Sequence, residues 1–200
     1  MTIYVYMALA ALAGYLIGSI NLSIIISRLK GSDIRKMGSG NAGSTNVLRT
    51  MGPAFAAVVF LFDILKGLVP TLILMLTKNF EAAYVYALFA IVGHCFPLYF
   101  GFKGGKGVAT AIGVLFAIDP VVALLVLIEF IIILLLFRFV SLASIVAALN
   151  LIAFTYFLHG FGLLLAVVFL AAVLVIAKHA PNVVRIREGS EKAIFGKGKK

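Results

Sequence analysis

Long runs of hydrophobic residues alternate with short polar segments along most of the 200-residue chain. A helix needs about 20 mainly apolar residues to cross the hydrocarbon core of a bilayer, and most of these runs approach or exceed that length. The fourth run is much shorter, and at about 1.5 Å per residue it covers little more than half of the core. The pattern predicts an all-α integral membrane protein with a single polytopic domain over 1–200 and a tail over 178–200. Its seven predicted transmembrane helices are about 3–27, 53–77, 82–100, 107–118, 121–137, 142–158 and 161–177.

The composition of the chain is typical of a membrane protein and argues against a nucleic acid partner. Hydrophobic residues make up 64% of the chain and charged residues 12%, against roughly 45–50% and 25% in soluble domains. The net charge of +10 would suit nucleic acid, but the basic residues fall between and after the hydrophobic runs, as in cytoplasmic loops. We therefore expect membrane lipid around the chain and no nucleic acid partner. The single cysteine, Cys95, excludes an intrachain disulfide and a cysteine metal cluster, and we expect no metal and no cofactor.

The distribution of basic residues predicts how the chain crosses the membrane. Cytoplasmic loops of membrane proteins are enriched in lysine and arginine. If all seven helices cross, Lys78 lies outside, Lys66 lies within a helix, and the other basic residues share one side. We therefore expect the N-terminus outside and the C-terminus in the cytoplasm, with the loop before the short fourth helix dipping into the membrane plane. The residues expected on the cytoplasmic side are Arg28, Lys30, Arg35, Lys36, Arg49, Lys103, Lys106, Arg138, Lys178, Arg185, Arg187, Lys192, Lys197, Lys199 and Lys200.

The first polar segment contains a glycine-rich stretch over 38–46 that is typical of phosphate binding. Glycine allows positive φ and a close approach of the backbone to a ligand, and successive N–H groups in such turns form anion-binding nests. Hydroxyl and amide side chains add neutral donors. The Gly-x-Gly-x-x-Gly spacing also matches the dinucleotide fingerprint, but that motif requires a preceding strand and a βαβ unit, which are absent from this pattern. The candidate phosphate-binding residues are Gly38, Ser39, Gly40, Asn41, Gly43, Thr45 and Asn46, flanked by the basic Arg35, Lys36 and Arg49.

The second polar segment, 101–107, is a basic glycine-rich loop before the short fourth helix. It is not a P-loop, because Lys106 is followed by glycine rather than by Ser or Thr. Backbone N–H groups at the start of a helix nonetheless favour anions. We expect Gly104, Gly105 and Lys106 to contact a phosphate, and Lys103 to meet anionic lipid headgroups. Two separate phosphate-binding segments indicate two phosphate-bearing substrates.

Further polar residues fall within or beside the predicted helices. Asp63 and Lys66 are three residues apart on one helix face, and we assign them to a buried structural pair. Ser141 and Ser144 are candidate nucleophiles, but serines with this spacing near a helix end also serve as caps or hydrogen-bonding groups. His179 is either a general base or a structural residue that holds the tail. The residues by themselves leave these alternatives open.

Taken in order, the polar segments resemble a known family. They are similar to the motifs of the bacterial acyl-phosphate-dependent glycerol-3-phosphate acyltransferases, the PlsY family, and the resemblance covers nearly the whole chain. Two positions depart from the family pattern: Ser44 replaces a more usual alanine, and Ala180-Pro181 stands where a basic residue often follows the histidine. The motifs are Gly38-Ser39-Gly40-Asn41 with Thr45-Asn46, Phe62-Asp63-x-x-Lys66-Gly67, Gly93-His94-x-x-Pro97, Phe102-Lys103-Gly104-Gly105-Lys106-Gly107-Val108-Ala109-Thr110, Ser141-Leu142-x-Ser144, and His179-x-x-Asn182 with Glu191.

The resemblance implies a seven-helix enzyme with its site on the cytoplasmic face of the bacterial inner membrane. The implied reaction transfers a fatty acyl group from acyl phosphate to the sn-1 hydroxyl of glycerol 3-phosphate, giving lysophosphatidate and phosphate in the first step of phospholipid synthesis. The proton acceptor is either His179 or a substrate phosphate. The implied catalytic residues are Ser39, Arg49, Lys106 and His179. The implied substrate-binding residues are Gly38, Gly40, Asn41, Gly43, Thr45, Asn46, Gly104, Gly105, Ser141, Ser144, Asn182 and Glu191.

Two other functions compete with this interpretation. A phosphate or phospho-sugar transporter would also use anion nests, but it needs polar residues along a path that reaches both sides of the membrane. The predicted outer loops are short and nearly featureless. A lipid-binding structural or regulatory protein would need only the basic loops and tail, and it does not account for several polar segments on one face. An acyl phosphate is already activated, so an enzyme acting on it needs mainly positioning and charge stabilisation.

Overall fold

In the computed structural model, which describes residues 2–194, all of the regular structure is helical. Two short 3₁₀ turns, Ile34–Lys36 and Leu98–Phe100, lie in the polar segments. Three residues of the predicted basic set, Lys197, Lys199 and Lys200, lie outside the described residues. The helices are α1 (Ile3–Gly18), α2 (Leu22–Leu29), α3 (Ser44–Met51), α4 (Pro53–Leu76), α5 (Phe80–Cys95), α6 (Val108–Ile118), α7 (Pro120–Phe137), α8 (Val140–His159), α9 (Leu163–Lys178) and α10 (Ala180–Arg187).

The chain divides into two compact units, and the N-terminal unit is Met1–Ile118. Within it α1 packs along α5, and α4 packs along α6. The face of α1 that meets α5 carries the buried residues Ala10, Gly14 and Gly18. A Cβ atom at Gly14 would lie 2.6 Å from the carbonyl oxygen of Tyr86, so the two backbones approach too closely for any larger residue. In the sequence, Ala10, Gly14 and Gly18 recur at four-residue spacing, a pattern that predicts close helix packing, and the structure confirms this prediction.

The first predicted helix is broken in the structure. Helix α1 ends at Gly18 and α2 begins at Leu22. Backbone groups freed by a break inside a membrane segment need partners within the protein. Asn21 supplies one by accepting a hydrogen bond from the Ile24 N–H at 3.3 Å. The Lys66 ammonium supplies another by donating to the Ile20 carbonyl oxygen at 2.9 Å. The break went unpredicted because the hydrophobic run continues through it.

The C-terminal unit is Asp119–Lys200. Helix α8 packs against both α7 and α9, and α10 contacts both α8 and α9. The Asp119 carboxylate caps α7 by accepting hydrogen bonds from the first N–H groups of the helix at 3.0 Å. Midway along the apolar helices, Glu129 of α7 accepts a hydrogen bond from the side-chain amide of Asn150 of α8. Sequence analysis had not singled out Glu129, although ionisable residues within apolar helices are rare and usually paired.

Within residues 2–194, five helical runs are long and apolar enough to cross a membrane. Helices α9 and α10 pass the same test together as a pair bent by 48°, and α6 is apolar but shorter. These lengths agree with an all-helical membrane protein whose fourth predicted helix is unusually short. The crossing of α6 and the orientation of the chain stay predictions. The five runs are Ile3–Leu29, Pro53–Leu76, Phe80–Phe100, Pro120–Phe137 and Val140–His159.

Candidate phosphate-binding site

The glycine-rich stretch forms a turn that leads into α3. Gly38 and Gly40 have positive φ angles of 58° and 72°, as the stretch predicts, because only glycine adopts this region without a steric cost. Gly43 differs from them, because its φ is −145°, in the extended region. The N–H groups of Asn46 and Val47 donate to the Gly43 carbonyl oxygen and close the first turn of α3. The N–H groups before them lie at the open start of the helix, where an anion binds favourably.

Asn46 holds this turn together from beneath. Its side chain is 1% exposed, and its Oδ1 atom accepts a hydrogen bond from the Ser39 N–H at 2.9 Å. Its Nδ2 group lies within hydrogen-bonding distance of three carbonyl oxygens, those of Ile34 at 3.2 Å, Met37 at 2.9 Å and Asn41 at 3.0 Å. The polar atoms of Asn46 are therefore engaged with the loop backbone, and its predicted contact with phosphate stays a prediction.

Arg35 connects the first polar segment to the second. Its guanidinium donates to the carbonyl oxygen of Phe100 at 2.8 Å and to that of Lys103 at 3.4 Å. Asp33 fixes the guanidinium through hydrogen bonds of 2.9 Å and 2.7 Å. The hydrogen bond from Arg35 holds the pKa of Asp33 well below its ordinary value, although burial opposes this shift. Arg35 thus joins the two loops, whereas the sequence suggested only a flanking positive charge.

An open cavity of about 550 Å³ lies between the two segments. Three of the side chains that line it are basic, and its one carboxylate is the Asp33 group already paired with Arg35. Such a surface attracts small anions from solution. The lining residues are Asp33, Arg35, Lys36, Gly40, Phe100, Gly101, Lys103 and Gly104.

Gly105 is the point at which the two glycine-rich segments meet. Its N–H donates to the His94 carbonyl oxygen at 3.1 Å, and the Gly104 N–H donates to the Cys95 carbonyl oxygen at 3.3 Å. A Cβ atom at Gly105 would lie 2.7 Å from the carbonyl oxygen of Ala42 and even closer to Nε2 of His94. The second loop therefore rests on the end of α5 and on the glycine-rich stretch, with no space for a side chain between them.

The predicted cationic residues of the site lie on these two segments. Lys106 is half-buried and precedes Gly107, whose φ of 84° turns the chain into α6. Arg49 is exposed in the last turn of α3, and Thr45 lies in the first turn of the same helix. Ser39 is exposed in the turn before that helix. The N-terminal unit thus contains the predicted residues of both glycine-rich segments and joins the segments at Gly105 and Arg35.

A buried charged network lies within the same unit. The Lys66 ammonium is 2.7 Å from Oδ1 of Asp63 and 2.9 Å from Nδ1 of His94. With the Ile20 carbonyl oxygen at 2.9 Å, the ammonium lies among a carboxylate, an imidazole nitrogen and a carbonyl oxygen. Asp63 and Lys66 are each 2% exposed in their side chains. The predicted buried pair is confirmed, and the structure adds His94 as its third member.

In the C-terminal unit, several predicted residues converge on Glu191. One oxygen, Oε1, accepts hydrogen bonds from Ser141 at 2.8 Å and from Asn182 at 2.7 Å. The other, Oε2, accepts a hydrogen bond from Arg185 at 2.8 Å. Burial raises the pKa of Glu191, but these three donors outweigh it and hold the pKa below the ordinary value. The cluster fastens the tail segment after α10 to the start of α8.

His179 and Ser144 also have contacts within the C-terminal unit. The buried His179 lies between α9 and α10, with Nδ1 at 2.8 Å from the Val175 carbonyl oxygen. Because a carbonyl oxygen only accepts, Nδ1 carries a hydrogen, and Nε2 is the basic nitrogen of the neutral ring. The Ser144 hydroxyl donates to the carbonyl oxygen of Val140 one turn earlier at 2.8 Å. Ser144 thus makes the helix contact that was the alternative to a nucleophilic role.

Three residues that organise the N-terminal unit were not predicted to do so. In the sequence, His94 stands out only as part of a motif, Arg35 only as a flanking charge, and Asn21 not at all. Asn21 caps α2 and also donates to the Ala42 carbonyl oxygen at 3.3 Å. A polar residue inside a long hydrophobic run was the available signal for Asn21 and His94. No sequence signal indicates that Arg35 turns toward the second loop.

Known proteins resemble this chain over most of its length. The family model described as glycerol-3-phosphate acyltransferase matches residues 8–189. The curated glycerol-3-phosphate acyltransferase of Aquifex aeolicus (strain VF5) is 44% identical over 182 residues, covering 88% of this chain and 93% of that protein. That of Cupriavidus necator (strain H16) is 41% identical over 200 residues, covering 96% of this chain and 98% of its own.

Two solved structures share the fold as well as the sequence. A crystal structure of PlsY, an integral membrane glycerol 3-phosphate acyltransferase, in its glycerol 3-phosphate form has a TM-score of 0.89 and 40% identity. It covers 95% of this chain and 96% of that chain. The lysophosphatidic acid form has a TM-score of 0.85 and 39% identity over 95% of each chain. The chain therefore belongs to the glycerol-3-phosphate acyltransferase family of integral membrane proteins.

Proposed function

We propose that this protein transfers a fatty acyl group from acyl phosphate to the sn-1 hydroxyl of glycerol 3-phosphate. The hydroxyl oxygen attacks the acyl carbonyl carbon and forms the ester bond. The bond between the acyl carbon and the phosphate oxygen breaks, inorganic phosphate leaves, and the hydroxyl proton passes to a base. The products are lysophosphatidate and phosphate. The observation that carries the proposal is the meeting of two glycine-rich segments at Gly105, in a chain of this family.

The geometry of the N-terminal unit supports the following assignment of roles to its residues. The N–H groups of the 38–43 turn and the start of α3, with Ser39 and Thr45, suit the oxygens of one phosphate. Lys106 and Arg49 supply cations for the second phosphate and for the charge that develops on the leaving phosphate. Because acyl phosphate is already activated, holding the hydroxyl in line with the acyl carbon provides most of the acceleration.

The proton acceptor is either His179 or a phosphate oxygen of a substrate. His179 is suited to the role because its Nδ1 donates to Val175, which leaves Nε2 as the basic nitrogen. If His179 is the base, His179→Gln lowers kcat by about two orders of magnitude or more. If a substrate phosphate is the base, the same variant changes KM and leaves kcat near that of the unsubstituted protein.

We also propose seven membrane crossings, with the N-terminus outside and the site on the cytoplasmic face of the bacterial inner membrane. The positive-inside rule supports this orientation, since it leaves Lys78 as the single outer lysine. Cys95 is the only cysteine and is buried, so a new cysteine can report accessibility by itself. Lys78→Cys should react with an impermeant maleimide from the outside of intact spheroplasts. Ser32→Cys should react only after the membrane is opened, and the reverse pattern would reject the orientation.

The reaction is tested with detergent-purified protein, glycerol 3-phosphate and one of two donors. Palmitoyl phosphate should give lysophosphatidate, and palmitoyl-coenzyme A should give none. Lys106→Ala should abolish product formation, because the developing phosphate charge loses its cation. Lys78→Ala is the matched control, since Lys78 is an exposed lysine in the loop between α4 and α5, and it should retain full activity.

The remaining outcomes are also decisive. Product from palmitoyl-coenzyme A alone would reject the donor and keep the acceptor. Product from neither donor, with the protein folded, would reject the acyltransferase proposal and favour a phosphate transporter, to be tested by phosphate uptake into vesicles. Full activity of Lys106→Ala would reject the proposed phosphate clamp.

A further inference from the structure

The buried Asp63–Lys66–His94 network contacts both glycine-rich segments through short chains of atoms. We propose that Lys66 is the positioning residue that sets the distance between the two phosphate-binding loops. The inference rests on the proposed function for its kinetic consequence, and the loop geometry can be measured independently of activity.

The first chain of contacts runs from Lys66 to the glycine-rich stretch. The Lys66 ammonium donates to the Ile20 carbonyl oxygen at 2.9 Å, in the break between α1 and α2. The next residue, Asn21, caps α2 and donates its side-chain amide to the Ala42 carbonyl oxygen at 3.3 Å. Asn21 and Ala42 are both fully buried. Lys66 therefore fixes the backbone at the break between α1 and α2. Asn21, which lies in that break, holds the glycine-rich stretch at Ala42.

The second series of contacts runs from Lys66 to the basic loop. The Lys66 ammonium lies 2.9 Å from Nδ1 of His94, which fixes the orientation of the imidazole ring. The opposite edge of that ring lies directly against Gly105, whose N–H donates to the backbone of the same histidine at 3.1 Å. Lys106 is the next residue. A rotation of the His94 ring would therefore displace the loop that carries Lys106.

The two series of contacts that begin at Lys66 meet at Gly105, because Gly105 lies between the His94 ring and the Ala42 carbonyl oxygen. A further hydrogen bond fixes the backbone of this network, because the Tyr86 hydroxyl donates to the Lys66 carbonyl oxygen at 2.8 Å. A buried ion pair contributes little net stability compared with apolar residues of similar size. A role in positioning the loops gives this costly pair a reason to be buried in an apolar helix.

The test uses the double variant Asp63→Leu/Lys66→Met, which removes both charges and keeps most of the packing volume. Thr71→Val is the matched control, because Thr71 lies on the same helix and is fully buried, and its hydroxyl has no hydrogen-bond partner among the described residues. His94→Asn is measured in parallel. It retains a polar atom near the Nδ1 position and removes the ring edge that contacts Gly105, so a result is obtained even if the double variant fails to fold.

Loop geometry is read from spin labels on Ser32→Cys and Tyr99→Cys, two exposed positions beside the two segments. We expect broader distance distributions in the double variant and in His94→Asn than in Thr71→Val. We also expect kcat to fall by about 10- to 100-fold in both, because a displacement near 1 Å costs up to about two orders of magnitude in rate. Thermal unfolding should remain cooperative.

Two results would overturn the proposal. Unchanged distances and unchanged kcat in a folded variant would show that the network has only a packing role. Unchanged distances with a lost kcat would indicate direct participation in the chemistry. Broadened distances with a normal kcat would support the positioning role of Lys66 and refute only its kinetic consequence. If the unsubstituted protein acylates from neither donor, the proposed function fails, while the distance measurement still tests the positioning role of Lys66.

Discussion

Replacing Gly105 with alanine adds one methyl group at the contact between the two glycine-rich segments. Gly105 is not among the glycines with positive φ, so alanine introduces no backbone strain of its own. Its Cβ would lie 2.7 Å from the Ala42 carbonyl oxygen, whereas ordinary contact begins at 3.4 Å. Restoring ordinary contact requires this distance to grow from 2.7 Å to 3.4 Å, so the two segments must move apart by about 0.7 Å.

The neighbouring groups offer no easy relief for this contact. The Ala42 oxygen belongs to the backbone and accepts a hydrogen bond from Asn21, and the His94 ring is held by Lys66. The loops themselves must therefore move apart. Since a misplacement of about 1 Å costs about 100-fold in rate, we expect kcat to fall about 10- to 100-fold, which corresponds to about 1.4–2.7 kcal/mol in the activation barrier.

The assay is release of phosphate from palmitoyl phosphate at saturating glycerol 3-phosphate, combined with thermal unfolding in detergent. Gly162→Ala is the matched control, because Gly162 is extended and a Cβ there has nothing within 4 Å. This variant should retain the kcat of the unsubstituted protein. If Gly105→Ala also retains full kcat, the contact between the segments does not set the geometry of the reaction, and the reasoning is refuted.

Three further predictions concern stability. Gly113→Ala should lower the free energy of unfolding by about 1–3 kcal/mol and with it the unfolding temperature, because its Cβ would overlap the backbone of Ile64 and force α4 and α6 apart. An unchanged melting curve would contradict this. Asn46→Leu should destabilise the N-terminal unit by about 1–3 kcal/mol for each buried polar group that it leaves unpaired. Hydrogen exchange over 34–46 should become faster, and unchanged exchange would refute this prediction. Because the pKa of Glu191 is lower in the folded protein than its ordinary value of 4.5, its ionised form stabilises the fold above that value, and this stabilisation is lost as the pH falls through the folded pKa. The mobility of a spin label on Ser190→Cys should accordingly rise in acid, and Glu191→Gln should raise it at neutral pH as well; pH-independent mobility with Glu191 present would refute this assignment.

The fold followed from the sequence where the signal was local. Hydrophobic runs predicted the helices because each apolar run must satisfy its backbone hydrogen bonds internally. The small residues Gly14 and Gly18 predicted close packing, and α1 packs on α5 at these positions. The break at Ser19–Asn21 escaped prediction because the residues that satisfy it, Lys66 among them, are distant in the sequence.

In the candidate site, too, local features were predicted from the sequence and long-range contacts were not. The glycine-rich stretch indicated positive φ correctly at Gly38 and Gly40, because conformational freedom belongs to the residue itself. Gly43 does not use this freedom, because its φ is extended at the residue before α3. The buried pair of Asp63 and Lys66 was predicted from helix spacing, but the third member, His94, comes from another helix.

By itself, the sequence determined the helical class, the two glycine-rich segments and the family, because composition, periodicity and ordered motifs are properties of the chain. Only the tertiary structure decided that Arg35 holds the second loop and that Gly105 rests between Ala42 and His94. It also decided that Lys66 lies beneath both segments. These contacts join residues that are far apart in the sequence, and their distances arise from packing, which a linear pattern does not specify.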